Sequence, residues 1–129
     1  MRKLVPVLIL ISVLALLLSA CAKSSNPAAK AVEDYLTAMV DKKSDRLSAL
    51  SCAGWESNAL QEFDSLQAVK TRLESLSCAV TGADGTTTDV VCQGNIIATY
   101  NNEDQQLDLS VRTYQVAQQG GKYLVCGYK

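Results

Sequence analysis

The chain has 129 residues, a formal charge of −1, five cysteines and no histidine. That length holds one ordinary domain, and 12 basic against 13 acidic residues leave no basic stripe for nucleic acid. Without histidine the usual general base near neutral pH is missing, and so is a common metal ligand.

The chain opens on a positive segment, Arg2-Lys3, followed by an apolar run from Leu4 to Leu18 broken only by Pro6 and Ser12. The run is shorter than the roughly 20 residues a membrane-spanning helix needs. Small residues, Ser19 and Ala20, follow it where a signal peptidase would cut. An uncleaved anchor helix is the alternative. The stretch Leu18-Ser19-Ala20-Cys21 resembles the lipobox of bacterial lipoproteins. The resemblance implies that residues 1–20 are a lipoprotein signal peptide, that Cys21 is acylated as the first mature residue, and that 21–26 form a lipidated tether. Each buried CH₂ adds about 0.8 kcal/mol, and one acyl chain binds a membrane only marginally. Two or three chains on Cys21 would hold the protein stably at an extracytoplasmic membrane surface. Loss of Arg2 and Lys3 then leaves 10 basic and 13 acidic side chains.

The domain is expected over 27–129. Asn26-Pro27 suits a helix start, with Asn as cap and Pro in the first turn. Ala28, Ala31, Val32, Tyr35, Leu36 and Met39 recur at helical spacing, which predicts a helix over about 27–42. Ser44 is expected to cap a short second helix that ends near Ser51, with Leu47 and Leu50 inward. A third is predicted over about 53–66, with Trp55, Ala59, Leu60, Phe63 and Leu66 on one side and Glu56, Gln61, Glu62 and Asp64 on the other.

Beyond Ala68 the period changes from helical to alternating. Val69, Thr71 and Leu73 alternate in one phase and Leu76, Cys78 and Val80 in the other, so a β-bulge is expected near Glu74-Ser75. Gly82–Gly85, Asn101–Asp104 and Gly120-Gly121 mark turns. The strands between them run over about 86–100, 107–117 and 123–128. Val90, Cys92, Ile96, Ala98 and Tyr100 are expected on the inner face, as are Leu107, Leu109, Val111, Thr113 and Ala117.

With Cys21 set aside, four cysteines remain, an even number in a chain that reads as exported, which favours two disulfides. Zinc and reduced buried cysteines are the alternatives. Centring the first hairpin on Gly85 sets Cys78 opposite Cys92. Centring the second between Asn102 and Glu103 sets Ile96 opposite Leu109. A turn at Gly120-Gly121 sets Ala117 opposite Leu124 and Gln115 opposite Cys126. Directly opposed residues share a face, so the simplest connectivity is Cys78–Cys92 across a hairpin and Cys52–Cys126 between the helical layer and the last strand. On the other face, Val91, Tyr114, Val116, Tyr123 and Val125 gather into an apolar region. It reads either as a homodimer or partner patch or as an ordinary half-exposed sheet.

Helices followed by an antiparallel meander predict an α+β fold, with three helices on one face of a curved four-stranded sheet. The segments Ala31–Leu36, Lys42–Asp45 and Gly120–Val125 resemble the nuclear-transport-factor-2-like superfamily of α+β rolls, and small bacterial lipoproteins of that fold. Some members of that superfamily are enzymes. Here no nucleophile motif, phosphate loop or metal cluster stands out, so no catalytic residue, cofactor or metal is expected. The reading is a non-catalytic, lipid-anchored domain of the cell envelope that binds an unidentified protein or ligand. The alternative is a small-ligand pocket between sheet and helices lined by Tyr35, Trp55, Phe63 and Tyr100; these aromatics equally suit a filled core. An enzyme of the same fold stands behind both.

Overall fold

A computed structural model describes residues 26–129. The signal segment 1–20, the lipidation site Cys21 and the tether up to Ser25 lie outside the described residues. The domain is α+β, with three helices packed against a curved antiparallel sheet of five strands: α1 (Pro27–Val40), α2 (Ser44–Ala49), α3 (Glu56–Ser65), β1 (Lys70–Asp84), β2 (Thr87–Tyr100), β3 (Glu103–Asp108), a 3-10 turn (Leu109–Val111), β4 (Thr113–Gln119) and β5 (Lys122–Tyr128). No helix among the described residues is long and apolar enough to cross a membrane.

The Asn26 side chain caps α1 by accepting from the Ala28 amide at 2.9 Å, with Pro27 in the first turn. The helix turns its periodic apolar stripe to the sheet, where Val32, Tyr35, Leu36 and Met39 are buried. Just past its end lies Lys42, whose φ of 61° reverses the chain. The Lys42 ammonium then donates to the carbonyls of Leu66 and of Val69, the latter at 2.9 Å. A cation thus closes the C-terminal end of α3 from a neighbouring element.

The sheet bends where β1 and β2 cross. The expected bulge lies between Glu74 and Ser77, with Ser75 at φ 55°. Gly94 of β2 faces it at φ 105°, and a Cβ there would stand 2.5 Å from the Glu74 carbonyl oxygen. Only glycine fits that close approach, so the bulge and Gly94 together make the curvature. Strand β2 is the spine: β1 pairs along one edge, while β3 (from Asn95) and β4 (up to Val91) share the other.

Both expected disulfides are present, Cys52–Cys126 and Cys78–Cys92. Cys78 sits directly opposite Cys92, as the Gly85-centred register requires. The second bridge is sited differently from the expectation. Ser51 forms a parallel bridge with Val125, and Cys52 N–H donates to the Val125 carbonyl at 2.8 Å. The link therefore runs sideways, from a short segment added to the edge of β5, and not down from a helix onto the sheet. Two disulfides point to an oxidising, extracytoplasmic setting.

The expected third strand is two strands. Asp108 accepts hydrogen bonds from the Ser110 amide (2.8 Å) and hydroxyl (2.7 Å), which nucleates the 3-10 turn and makes five strands of four. The turn also inverts the face of everything after it. Leu109, Tyr114 and Val116 are buried, whereas Leu107 (47 % exposed) and Val111 (75 % exposed) are not. The second hairpin is centred one residue earlier than expected, between Asn101 and Asn102, so Ile96 pairs with Leu107 and not Leu109. Ala117 does face Leu124, but a register shift next to Gln115 sets Gln115 opposite Gly127 and leaves Cys126 in the irregularity.

These shifts remove the apolar outer patch. Tyr114, Val116 and Val125 lie in the core, and Val91 and Tyr123 are only partly exposed. A patch built on those five residues therefore does not exist as a surface for a second copy or a partner.

Candidate functional site

A cleft of about 340 Å³ opens between α1, α3 and the concave face of the sheet. Leu36, Met39, Leu66, Ile96 and Leu107 supply an apolar lining, and Tyr35, Glu62, Ser65, Arg112 and Tyr114 supply the polar groups. Its size and mostly apolar walls suit a small organic molecule. Ile96 and Leu107 reach it as a cross-strand pair. Arg112 and Tyr114 reach it through the phase change at the 3-10 turn. A second groove, of about 430 Å³, runs past Pro27, Lys30, Asp34 and Tyr123. It is more open, and its Lys30 is already paired with Asp34 at 2.7 Å.

Glu62 is the hub of the polar side. It accepts a hydrogen bond from the Tyr128 hydroxyl through Oε1, and its Oε2 lies 3.6 Å from an Arg112 guanidinium nitrogen. The guanidinium carbon sits 4.2 Å from the centre of the Tyr128 ring, so the cation is held by a carboxylate and by a π-face. Trp55 packs edge-on against Tyr128 with ring centres 5.4 Å apart, and its Nε1–H donates to the Tyr35 hydroxyl at 3.1 Å. Tyr114 packs edge-on between Tyr35 (6.3 Å) and Tyr128 (5.7 Å).

Tyr114 is only 1 % exposed, and its hydroxyl has no hydrogen-bond partner among the described residues. An unpaired buried hydroxyl costs about 1–3 kcal/mol. Burial raises the pKa of Tyr114, opposed by the Arg112 guanidinium beside it, whose N–H groups and charge favour the ionised phenol. Burial also pushes the Tyr35 hydroxyl far above the ordinary tyrosine value, and Trp55 only partly offsets it. The Tyr128 pKa is raised chiefly because its hydroxyl donates a hydrogen bond to Glu62, with burial adding to the effect. All three phenols therefore keep their protons near neutral pH, and of the three only Tyr128 donates within the described residues. Glu62 is engaged by Arg112 and Tyr128.

Of the four aromatics expected to line a pocket, Tyr35 alone lines this cleft. Phe63 is buried in the core between α3 and the sheet. Trp55 lines a shallower recess with Asn58, Gln61, Glu62, Ser65 and Tyr128, which shares Glu62 and Ser65 with the cleft. Tyr100 is 59 % exposed at the far end of β2, because the strand outruns the helical layer there. Glu62, Arg112, Tyr114 and Tyr128 were not anticipated. Glu62 reads as outward on the helical wheel, and the other three depend on the face inversion that Asp108 sets. The spacing Asp108-Leu109-Ser110 is the local signal that announces the break. Among the described residues, no group of three or more Cys, Asp or Glu side chains is placed to hold a metal ion.

No protein-family model matches the chain, and no curated protein matches it. Among solved structures the chain is similar to Aln2 from a Streptomyces species, with a TM-score of 0.54 and 12 % identity over 79 % of this chain and 85 % of that one. At that identity the likeness is one of fold. It agrees with the α+β fold described above.

Proposed function

We propose that this is a non-catalytic, lipid-anchored binding domain of the bacterial cell envelope, and that its ligand is a small molecule held in the cleft between α1, α3 and the sheet. The observation that carries the binding reading is the cleft itself: about 340 Å³ of mainly apolar wall with Glu62, Arg112 and Tyr114 at one side. The anchoring rests on the Leu18–Cys21 motif, and the two disulfides agree with an extracytoplasmic setting. Three protonated tyrosines and a carboxylate already in use favour binding over acid–base chemistry. A partner-scaffold role through the outer face of the sheet loses its support, since Val116 and Val125 are buried.

The test compares the protein purified from its native envelope with a Leu107→Trp variant. Leu107 lines the cleft yet is half exposed, so a larger ring there obstructs the cleft without disturbing the core. Mass spectrometry of the solvent extract should find a small molecule in the wild type that is depleted in the variant. Equal extracts would contradict the reading. Intact mass should also show an acylated chain starting at Cys21; any other mature start would refute the anchor.

A further inference from the structure

We infer that the cleft selects an uncharged, largely apolar ligand that carries one hydrogen-bond-accepting oxygen, such as a ketone, and that Tyr114 donates to that oxygen. The inference rests on the cleft reading and adds to it the chemical class of the ligand.

Electrostatic balance disfavours a charged ligand. The ionisable side chains of opposite sign on the cleft wall are Glu62 and Arg112, one of each and 3.6 Å apart. An anion would have to draw Arg112 away from Glu62, and a cation would have to do the reverse. Either leaves a part-buried charge without its partner, which is costly. A neutral ligand leaves the pair and its Tyr128 contact intact.

Unspent donors point to one accepting oxygen. The Tyr114 hydroxyl is buried and has no partner among the described residues. Tyr35, also on the cleft wall, accepts from Trp55 Nε1, but no hydrogen bond from its own proton is found among the described residues. Both phenols keep that proton near neutral pH, because burial raises their pKa values. Two donors without acceptors beside an apolar wall match a carbonyl better than a donor group. A purely apolar ligand would leave the donors unmet.

The test uses three probes of similar size on the oxidised full-length chain: butyrophenone, butylbenzene (the same skeleton with CH₂ in place of C=O) and phenylbutyrate. Binding is followed by NMR shifts of the Met39 and Ile96 methyl groups, which report the cleft directly. The wild type should prefer butyrophenone over butylbenzene, and Tyr114→Phe should shrink that preference about fivefold, as expected for one neutral hydrogen bond. Comparing the ratio between wild type and variant cancels differences in how the probes partition into detergent. Phenylbutyrate should bind more weakly than the ketone. A ketone preference unchanged by Tyr114→Phe, or tightest binding by phenylbutyrate, overturns the inference and leaves the cleft reading standing. If no probe moves the Met39 and Ile96 methyls, the cleft reading falls and the inference with it. Tyr114→Phe keeps the buried ring and should fold, which its melting temperature checks. If it does not fold, Tyr35→Phe carries the same comparison through the second donor.

Discussion

Nine of the fourteen residues of α1 are buried, against two of the ten in α3. Both helices close over the same concave sheet, but different forces hold them. Val32, Tyr35, Leu36 and Met39 insert α1 into a continuous core with Val90, Ile96 and Val116. Helix α3 contributes Ala59 and Phe63 to that core. Leu60 and Leu66 pack partly against it, and polar ties add the rest: Glu62 to Tyr128 and Arg112, and the Lys42 ammonium at its C-terminal end. Apolar burial is strong and non-directional, whereas each polar tie is modest and can open locally. One wall of the cleft is therefore held mainly by apolar burial and the other more by polar ties, which predicts that the second opens more readily.

The largest expected effect concerns the root of α3. Replacing both Cys52 and Cys126 by Ser opens a link spanning 74 residues. The loop-entropy relation predicts a loss of about 4 kcal/mol, against about 3 for Cys78 and Cys92, which are 14 residues apart. Urea unfolding of the two double variants measures the difference; equal losses would mean that the short bridge contributes more than loop closure.

The helices themselves come next. Leu36→Ala should cost about 3 kcal/mol, within the usual range for a fully buried leucine. Leu60→Ala on α3, where the side chain is only partly buried, should cost about 1 kcal/mol. Similar losses in chemical denaturation would erase the contrast between the two walls.

Alkaline pH probes the tyrosines between the walls. Tyr35 and Tyr114 have folded-state pKa values raised above the unfolded value of about 10, mainly by burial. Their contribution is thus fully present below pH ~10. Above it the unfolded chain loses these protons first, and stability should fall by about 1.4 kcal/mol per pH unit for each tyrosine until the folded groups also ionise. Tyr35→Phe should make that decline shallower. A stability profile flat to high pH would show that neither phenol is shielded.

The smallest expected effect is that of Tyr128→Phe. It removes one hydrogen bond to Glu62 but keeps the ring under Arg112, and should cost about 1 kcal/mol. Amide exchange in α3 should speed up more than in α1; uniform acceleration would mean that the tie stabilises the whole fold and not the one wall.

The same contrast explains what could be read in the residues. Helix α1 was legible because its core spacing, its Asn26-Pro27 start and its burial all agree. The bulge at Glu74-Ser75 and the pairing of Cys78 with Cys92 were legible because alternation on both sides of Gly85 constrains the register. The site was legible only at Tyr35. Its polar groups Arg112, Tyr114 and Tyr128 lie after Asp108, whose side chain accepts from Ser110 and turns an apparent strand into a 3-10 turn. Alternation carried through that point sends Tyr114, Val116 and Val125 to the wrong face and produces a surface patch from core residues. Glu62 escaped notice for another reason: helical periodicity reports which side a residue leaves from, not which arginine and tyrosine a distant strand brings to meet it.

Hydrogen–deuterium exchange of the full chain with and without butyrophenone tests the central claim most directly, because it maps binding onto the two walls at once. A ligand in the cleft should slow exchange over Ala59–Ser65 of α3 and leave the already protected α1 almost unchanged. Protection beside Pro27 and Tyr123, with none in α3, would move the site to the open groove and contradict the account.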